Sequence, residues 1–151
     1  MSTRSMIGIR YADGTVKANY CHNDGSIEHN GKILLESYNT KEKVEALLAL
    51  GDLSFLGSKI EPDQQKPHTF DDPQDDVVIA YHRDRGEYLN PPASFENVYE
   101  FRDVAPDKWD AVFLYVFSVA NGVWSVYDVF GDKKEWETLS SRFWVVKGEA
   151  K

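Results

Sequence analysis

The sequence predicts an α+β domain: a mainly antiparallel sheet with a few short helices packed on one side. Three observations carry that expectation. Asp13-Gly14 and Asn121-Gly122 each stand between apolar, β-prone runs, as hairpin turns do. Val44, Leu47 and Leu48 recur at helical spacing between a Thr and a Gly that suit helix ends. The chain has 151 residues, room for a single domain over 1–151 with a core that needs no staples.

Residues 6–22 read as the first hairpin. A two-residue turn at Asp13-Gly14 pairs Tyr11 with Val16, Ile9 with Ala18 and Ile7 with Tyr20, all on one apolar face. Gly8, Arg10, Lys17, Asn19 and Cys21 then occupy the opposite face, and His22 ends the apolar one. Residues 31–38 suit a short helix carrying Ile33, Leu34 and Tyr38. Residues 41–50 suit a clearer one, with Thr40 as N-cap, Glu42 in the first turn and Gly51 as its stop. Residues 52–57 form a tight connection with buried anchors.

The composition then changes. Residues 61–76 hold six acids (Glu61, Asp63, Asp71, Asp72, Asp75 and Asp76) against one base, Lys66. All six prolines lie between Pro62 and Pro106. A long acidic, proline-containing surface loop at about 59–76 follows, because proline and aspartate break ladders and helices alike. A loop of that length in a compact domain is functional or disordered.

Residues 77–81 are apolar and β-branched, a buried strand running into a charged turn at 82–87. Ser94 suits the cap of a short helix through Phe101. Residues 111–119 are apolar on both faces, so this strand belongs in the middle of the sheet. Residues 123–130 return antiparallel, residues 133–141 suit a short helix, and the apolar segment 143–146 follows. Thirteen of the twenty aromatics lie between Phe95 and Trp144, where most of the core mass is expected.

Apolar residues make up 42% and charged residues 28%, ordinary for a soluble globular chain. The formal charge of −8 argues against a whole-surface grip on nucleic acid or an anionic membrane. A single cysteine excludes an internal disulfide and a cysteine-rich zinc site. No apolar run approaches a membrane span, and Met-Ser-Thr-Arg-Ser-Met is not followed by a signal-type core. A reduced, cytoplasmic setting is expected.

Three constellations could carry chemistry. Cys21 beside His22 suggests a nucleophile and its base, but neighbours in a strand point to opposite faces, so a strand end and turn explain them as well. His22, Asp24, His29, His68, Asp72, His82 and Asp84 offer imidazole and carboxylate to a metal. None of them has helical ligand spacing, and 71–76 lacks the alternation and glycine of a calcium loop. His82, Arg83, Asp84 and Arg85 sit at a strand end, where two arginines could clamp a carboxylate or phosphate. Internal pairing with Asp84, Glu87 or the acidic loop accounts for them equally. No phosphate-cradling glycine loop, serine elbow or helical zinc motif occurs.

Several strings are specific as a set: Ser2-Thr3-Arg4-Ser5 through Ile7-Gly8, Asp13-Gly14, Tyr20-Cys21-His22 with Asp24-Gly25, Gly31 with Leu34, Gly51-Asp52-Leu53-Ser54 with Leu56-Gly57, and Arg83-Asp84-Arg85-Gly86-Glu87. In order and spacing they resemble a family of small uncharacterised proteins of bacteriophages and prophages, over about residues 2–88. Ser26-Ile27 departs from the aromatic-proline pair expected after Asp24-Gly25. The resemblance carries no activity and no catalytic residue. It implies an accessory protein acting in a bacterial cytoplasm during infection or lysogeny.

The leading expectation is a non-catalytic protein that binds a host protein, for instance a defence or replication component. Its surface would be Asp71, Asp72, Asp75 and Asp76 with His82, Arg83, Asp84 and Arg85. No cofactor or metal is expected. The alternative is a small enzyme or ligand binder using His22 and the 82–87 turn. A third reading is an acidic DNA mimic, which one short loop matches poorly against an extended phosphate array.

Overall fold

The computed structural model of the chain describes residues 2–143. Among these residues eight strands form one sheet: β1 (Ser5–Arg10), β2 (Val16–Cys21), β3 (Leu53–Phe55), β4 (Ile79–Ala80), β5 (Ala93–Phe95), β6 (Phe113–Ser118), β7 (Val123–Asp128) and β8 (Glu137–Thr138). Their order is β4-β3-β2-β1-β6-β7-β8, with β5 also pairing β2. The sheet is mixed, which corrects the mainly antiparallel expectation. β1 runs parallel to β6 and β2 parallel to β3, while the remaining pairs are antiparallel.

The first hairpin forms, one residue out of the expected register. Arg10 faces Val16, Gly8 faces Ala18 and Ser5 faces Cys21. The loop is longer than two residues: the Tyr11 N–H donates to Thr15 O at 2.9 Å and the Gly14 N–H to Tyr11 O at 2.9 Å. Gly14 takes φ +90°, the left-handed residue of a bulged three-residue loop. A shift of one residue exchanges the faces of one strand relative to the other. Cys21 and Asn19 therefore join Ile7 and Ile9 in the interior, and Tyr20 turns to the other side with Met6.

Both faces of the sheet are buried. On one, Ile7, Ile9, Cys21, Tyr115, Phe117 and Trp124 pack under α1 (Lys32–Ser37) and α2 (Lys41–Leu48) through Leu34, Tyr38, Val44, Leu47 and Leu48. On the other, Met6, Val16, Ala18, Leu114 and Val116 pack under α4 (Val98–Trp109) through Phe101 and Ala105. Helices thus cover two sides, not one. β6 alternates between the two cores and lies between β1 and β7, the central position its apolar run requires.

Local signals account for the helix ends. Thr40 Oγ1 accepts from the Lys43 N–H at 3.2 Å, as a capping threonine does. Asn97, not Ser94, caps α4: its Oδ1 accepts from the Tyr99 and Glu100 N–H groups at 3.0 and 2.9 Å. Ser94 belongs to β5 instead. A π-helical turn at Ile27–Gly31 leads into α1. Asn19 is buried because it satisfies carbonyls that α2 leaves open. Its Nδ2 donates to Leu48 O at 2.9 Å and Gly51 O at 2.7 Å, closing the end of that helix.

The strand expected at 77–81 shrinks to β4, since Tyr81 already begins α3 (Tyr81–Arg85). The charged stretch is therefore a helical turn rather than an open turn. The helix expected at 133–141 is replaced by β8, with helical geometry from residue 139 to residue 143. Residues 144–146 lie outside the described residues. Among the described residues no helix is long and apolar enough to cross a membrane.

Candidate binding surface

α3 is too short to stand by its own hydrogen bonds. Asp84 holds it: its Oδ2 reaches back to accept the Ala80 N–H at 2.8 Å. Arg83 lies beside it and spends its donors internally. Nε donates to Asp84 Oδ1 at 2.8 Å, Nη1 to Ile60 O at 2.7 Å and Nη2 to Val78 O at 2.7 Å. One guanidinium thus ties the start of the acidic loop, the approach to β4 and α3 together. Burial alone would push the Asp84 carboxyl up, but hydrogen bonds from Arg83 and Ala80 and the nearby charge of Arg83 hold it below the usual carboxylate range.

The loop is folded onto α3. Gln74 organises it, with Nε2 donating to Asp63 O at 3.0 Å and Lys66 O at 3.1 Å, and Oε1 accepting from the Asp63 N–H at 2.8 Å. His68 Nδ1 accepts the Gln74 N–H at 2.9 Å, so the neutral ring carries its proton on Nε2. Nε2 faces Asp84 Oδ2 at 3.4 Å, an electrostatic contact rather than a formed hydrogen bond. The Phe70 N–H donates to Asp84 O at 3.1 Å, and the Phe70 ring lies 5.4 Å from that of Tyr81. Arg85 caps this pair, 4.2 Å above Phe70 and 5.0 Å from Tyr81, and pairs with Glu87. At the loop's end Gly57 admits Asp76: a Cβ on Gly57 would lie 2.4 Å from Asp76 O.

The candidate residues therefore divide. Asp71, Asp72, Asp75 and Asp76 are exposed, and among the described residues none has a cation within 4.0 Å. Arg83 and Asp84 hydrogen-bond within the fold, the internal pairing that stood beside the clamp reading. Arg85 is engaged with two rings and Glu87. Loop and turn flank β4 in sequence, yet His68 and Phe70 bring them together.

The metal set does not assemble. His22 Nδ1 meets the Tyr20 hydroxyl at 2.6 Å, while His29 Nδ1 meets Asp24 O at 3.1 Å and Asn30 Oδ1 at 2.9 Å. Among the described residues no three His, Cys, Asp or Glu side chains group as metal ligands. Cys21 is fully buried, its Sγ 3.6 Å from Asn30 Nδ2, and burial pushes its thiol up to about 11. That is the reverse of an activated nucleophile. Cys21→Ala should cost about 1 kcal/mol of stability and leave any binding activity intact. In the native protein the thiol should resist a disulfide reagent until the chain unfolds; rapid native labelling would contradict this.

Sequence reasoning missed a cleft of about 160 Å³ beside α3. It opens where the outer edge of β2 changes partner. β5 pairs Val16, Lys17 and Ala18, β3 pairs Cys21, and among the described residues Tyr20 between them has no strand neighbour on that edge. Tyr20 and Asp52 form one side of the lining, Tyr81 and His82 come from α3, and Glu87, Tyr88 and Asn90 complete it. The His82 Nδ1–H donates to Glu87 O at 2.7 Å, so the Nδ1–H tautomer keeps Nε2 as its acceptor. Burial raises the Tyr20 hydroxyl pKa, opposed by hydrogen bonding to Arg4. No local pattern announces this set, because its members come from four separate segments. No protein-family model, curated protein or solved structure matches the chain.

Proposed function

We propose that the protein is a non-catalytic binding protein that docks through the acidic lobe 61–76 onto a basic patch of a host protein. With the resemblance to phage and prophage proteins, this makes it an accessory factor acting in a bacterial cytoplasm. The observation that carries the reading is the lobe itself. Its backbone is held by Gln74 and its base anchored by Phe70 on Tyr81, while among the described residues no cation lies within 4.0 Å of Asp71, Asp72, Asp75 or Asp76. Ordering a loop before binding lowers the entropy lost on association. Unpaired surface charge on an ordered loop acts mainly on encounter rate and partner choice.

The test changes Asp71, Asp72, Asp75 and Asp76 together to Asn. Captured host partners are identified by mass spectrometry, then association rates are measured from low to physiological salt. The variant should associate at least about tenfold more slowly at low salt and lose most of its salt dependence. Its melting temperature should hold, since exposed charges contribute little to stability. Unchanged rates and salt slope would remove the lobe from the mechanism.

A further inference from the structure

The cleft beside α3 is lined, among the described residues, by no lysine or arginine, although Arg4 is a partner of Tyr20 and Arg85 of Glu87 at its edges. Asp52 is half-buried in its wall, and among the described residues no cation lies within 4.0 Å of its carboxylate. Its Oδ2 accepts from Asn90 Nδ2 at 3.0 Å, which holds the carboxylate in place, and among the described residues Oδ1 has no hydrogen-bond partner. His82 Nε2 adds a second acceptor, fixed by the bond its Nδ1–H makes to Glu87 O. Tyr20, Tyr81 and Tyr88 also line the cleft, and Tyr88 is 88% exposed.

A carboxylate, an imidazole nitrogen free to accept and aromatic rings together recognise a cation that donates hydrogen bonds. The same corner already holds one: Arg85 lies over Phe70 and Tyr81. With one Asp52 oxygen taken by Asn90, the carboxylate offers a single point of contact rather than a fork. That suits the compact charge of an ammonium better than the planar pair of donors of a guanidinium. We infer that the Asp52–His82 cleft binds a primary ammonium group, the side-chain head of a lysine presented by the basic partner. The inference rests on the proposed docking function. Tyr81 forms the wall of the cleft and also carries Phe70 of the acidic lobe, so steering surface and capture site adjoin.

The experiment titrates isotopically labelled protein with Nα-acetyl-lysine methylamide, following backbone amides by NMR. Its Nε-acetylated form serves as the neutral control, and the arginine counterpart as the guanidinium control. The lysine probe should give saturable shifts at Asp52, His82 and Asn90, the neutral probe none, and the arginine probe a weaker response. Asp52→Asn should raise the dissociation constant roughly tenfold, the scale of one hydrogen bond to a charged group. Tyr88→Ala, on an exposed side chain that the fold does not need, should weaken binding as well. Equal shifts with the neutral probe, or no saturable shift at the cleft, would overturn the inference. A lysine-rich peptide separates the two proposals. If it associates through the lobe while Asp52→Asn changes nothing, the cleft fails and the docking reading stands. If the single lysine probe saturates the cleft while lobe neutralisation leaves peptide rates unchanged, the cleft stands and the docking reading fails.

Discussion

Phe101→Ala should lower the free energy of unfolding by about 3–5 kcal/mol, the largest single-residue effect expected outside the central strand. Phe101 is fully buried at the end of the first turn of α4, its ring 4.9 Å from Phe95 and 6.1 Å from Trp136. It is the main aromatic that joins α4 to the second face of the sheet, beside Leu114 and Val116. Truncation removes the transfer energy of the ring and leaves a cavity that a cap, a proline-containing helix and two flanking aromatics cannot readily close. Val104→Ala, on the outer face of the same helix, should stay within about 0.5 kcal/mol. Urea unfolding of both variants decides the matter. A Phe101→Ala cost below about 1 kcal/mol would mean that α4 does not close the second layer.

Asp84→Asn should cost about 3 kcal/mol and loosen the acidic lobe. Asp84 is 4% exposed at its side chain, and Arg83 is 23% exposed. Removing one charge of a largely buried pair leaves the other without compensation, a loss of about 3–5 kcal/mol when burial is complete. The partial exposure of Arg83 places the effect at the lower end. The same change weakens the seat of His68, while the Phe70 N–H keeps its backbone partner. Hydrogen exchange should therefore quicken first across residues 60–76. Protection there equal to that of the parent would refute the anchoring role.

Asp84 also sets an acid limit. Its folded-state pKa lies below the unfolded one, so the unfolded chain binds the proton more readily. Its contribution is complete above about pH 4, the ordinary carboxylate value, and is lost as pH falls through the depressed folded value. Acid unfolding of Asp84→Asn should accordingly lack this component.

Part of this was legible beforehand, for identifiable reasons. α2 is announced by local features that act within one turn: the Thr40 hydroxyl, the Val44-Leu47-Leu48 stripe and the glycine after it. β6 and β7 are announced by an apolar run and an Asn-Gly turn between neighbours in sequence. The acidic loop is announced by composition, and its five aspartates are exposed as composition predicts. The register of the first hairpin was not legible, because Asp-Gly serves both a two-residue turn and a bulged three-residue loop. The two-residue turn sends Asn19 and Cys21 to the polar face, although each has its partners deep inside, at Gly51 and Asn30.

The candidate surface divides along the same line. Which residues carry charge, which turns break the chain and which helix can start alone were determined by the amino-acid order itself, because those effects span a few residues. Tertiary structure alone decided that Arg83 binds carbonyls of Ile60 and Val78 rather than a ligand, and that β8 forms where a helix was expected. It also decided that α4 crosses to the second face, and that Asp52 and His82 meet around one cleft. Each of these depends on contacts between segments distant in sequence. Their energy comes from burying surface and pairing buried polar groups, and neither exists until the segments have met.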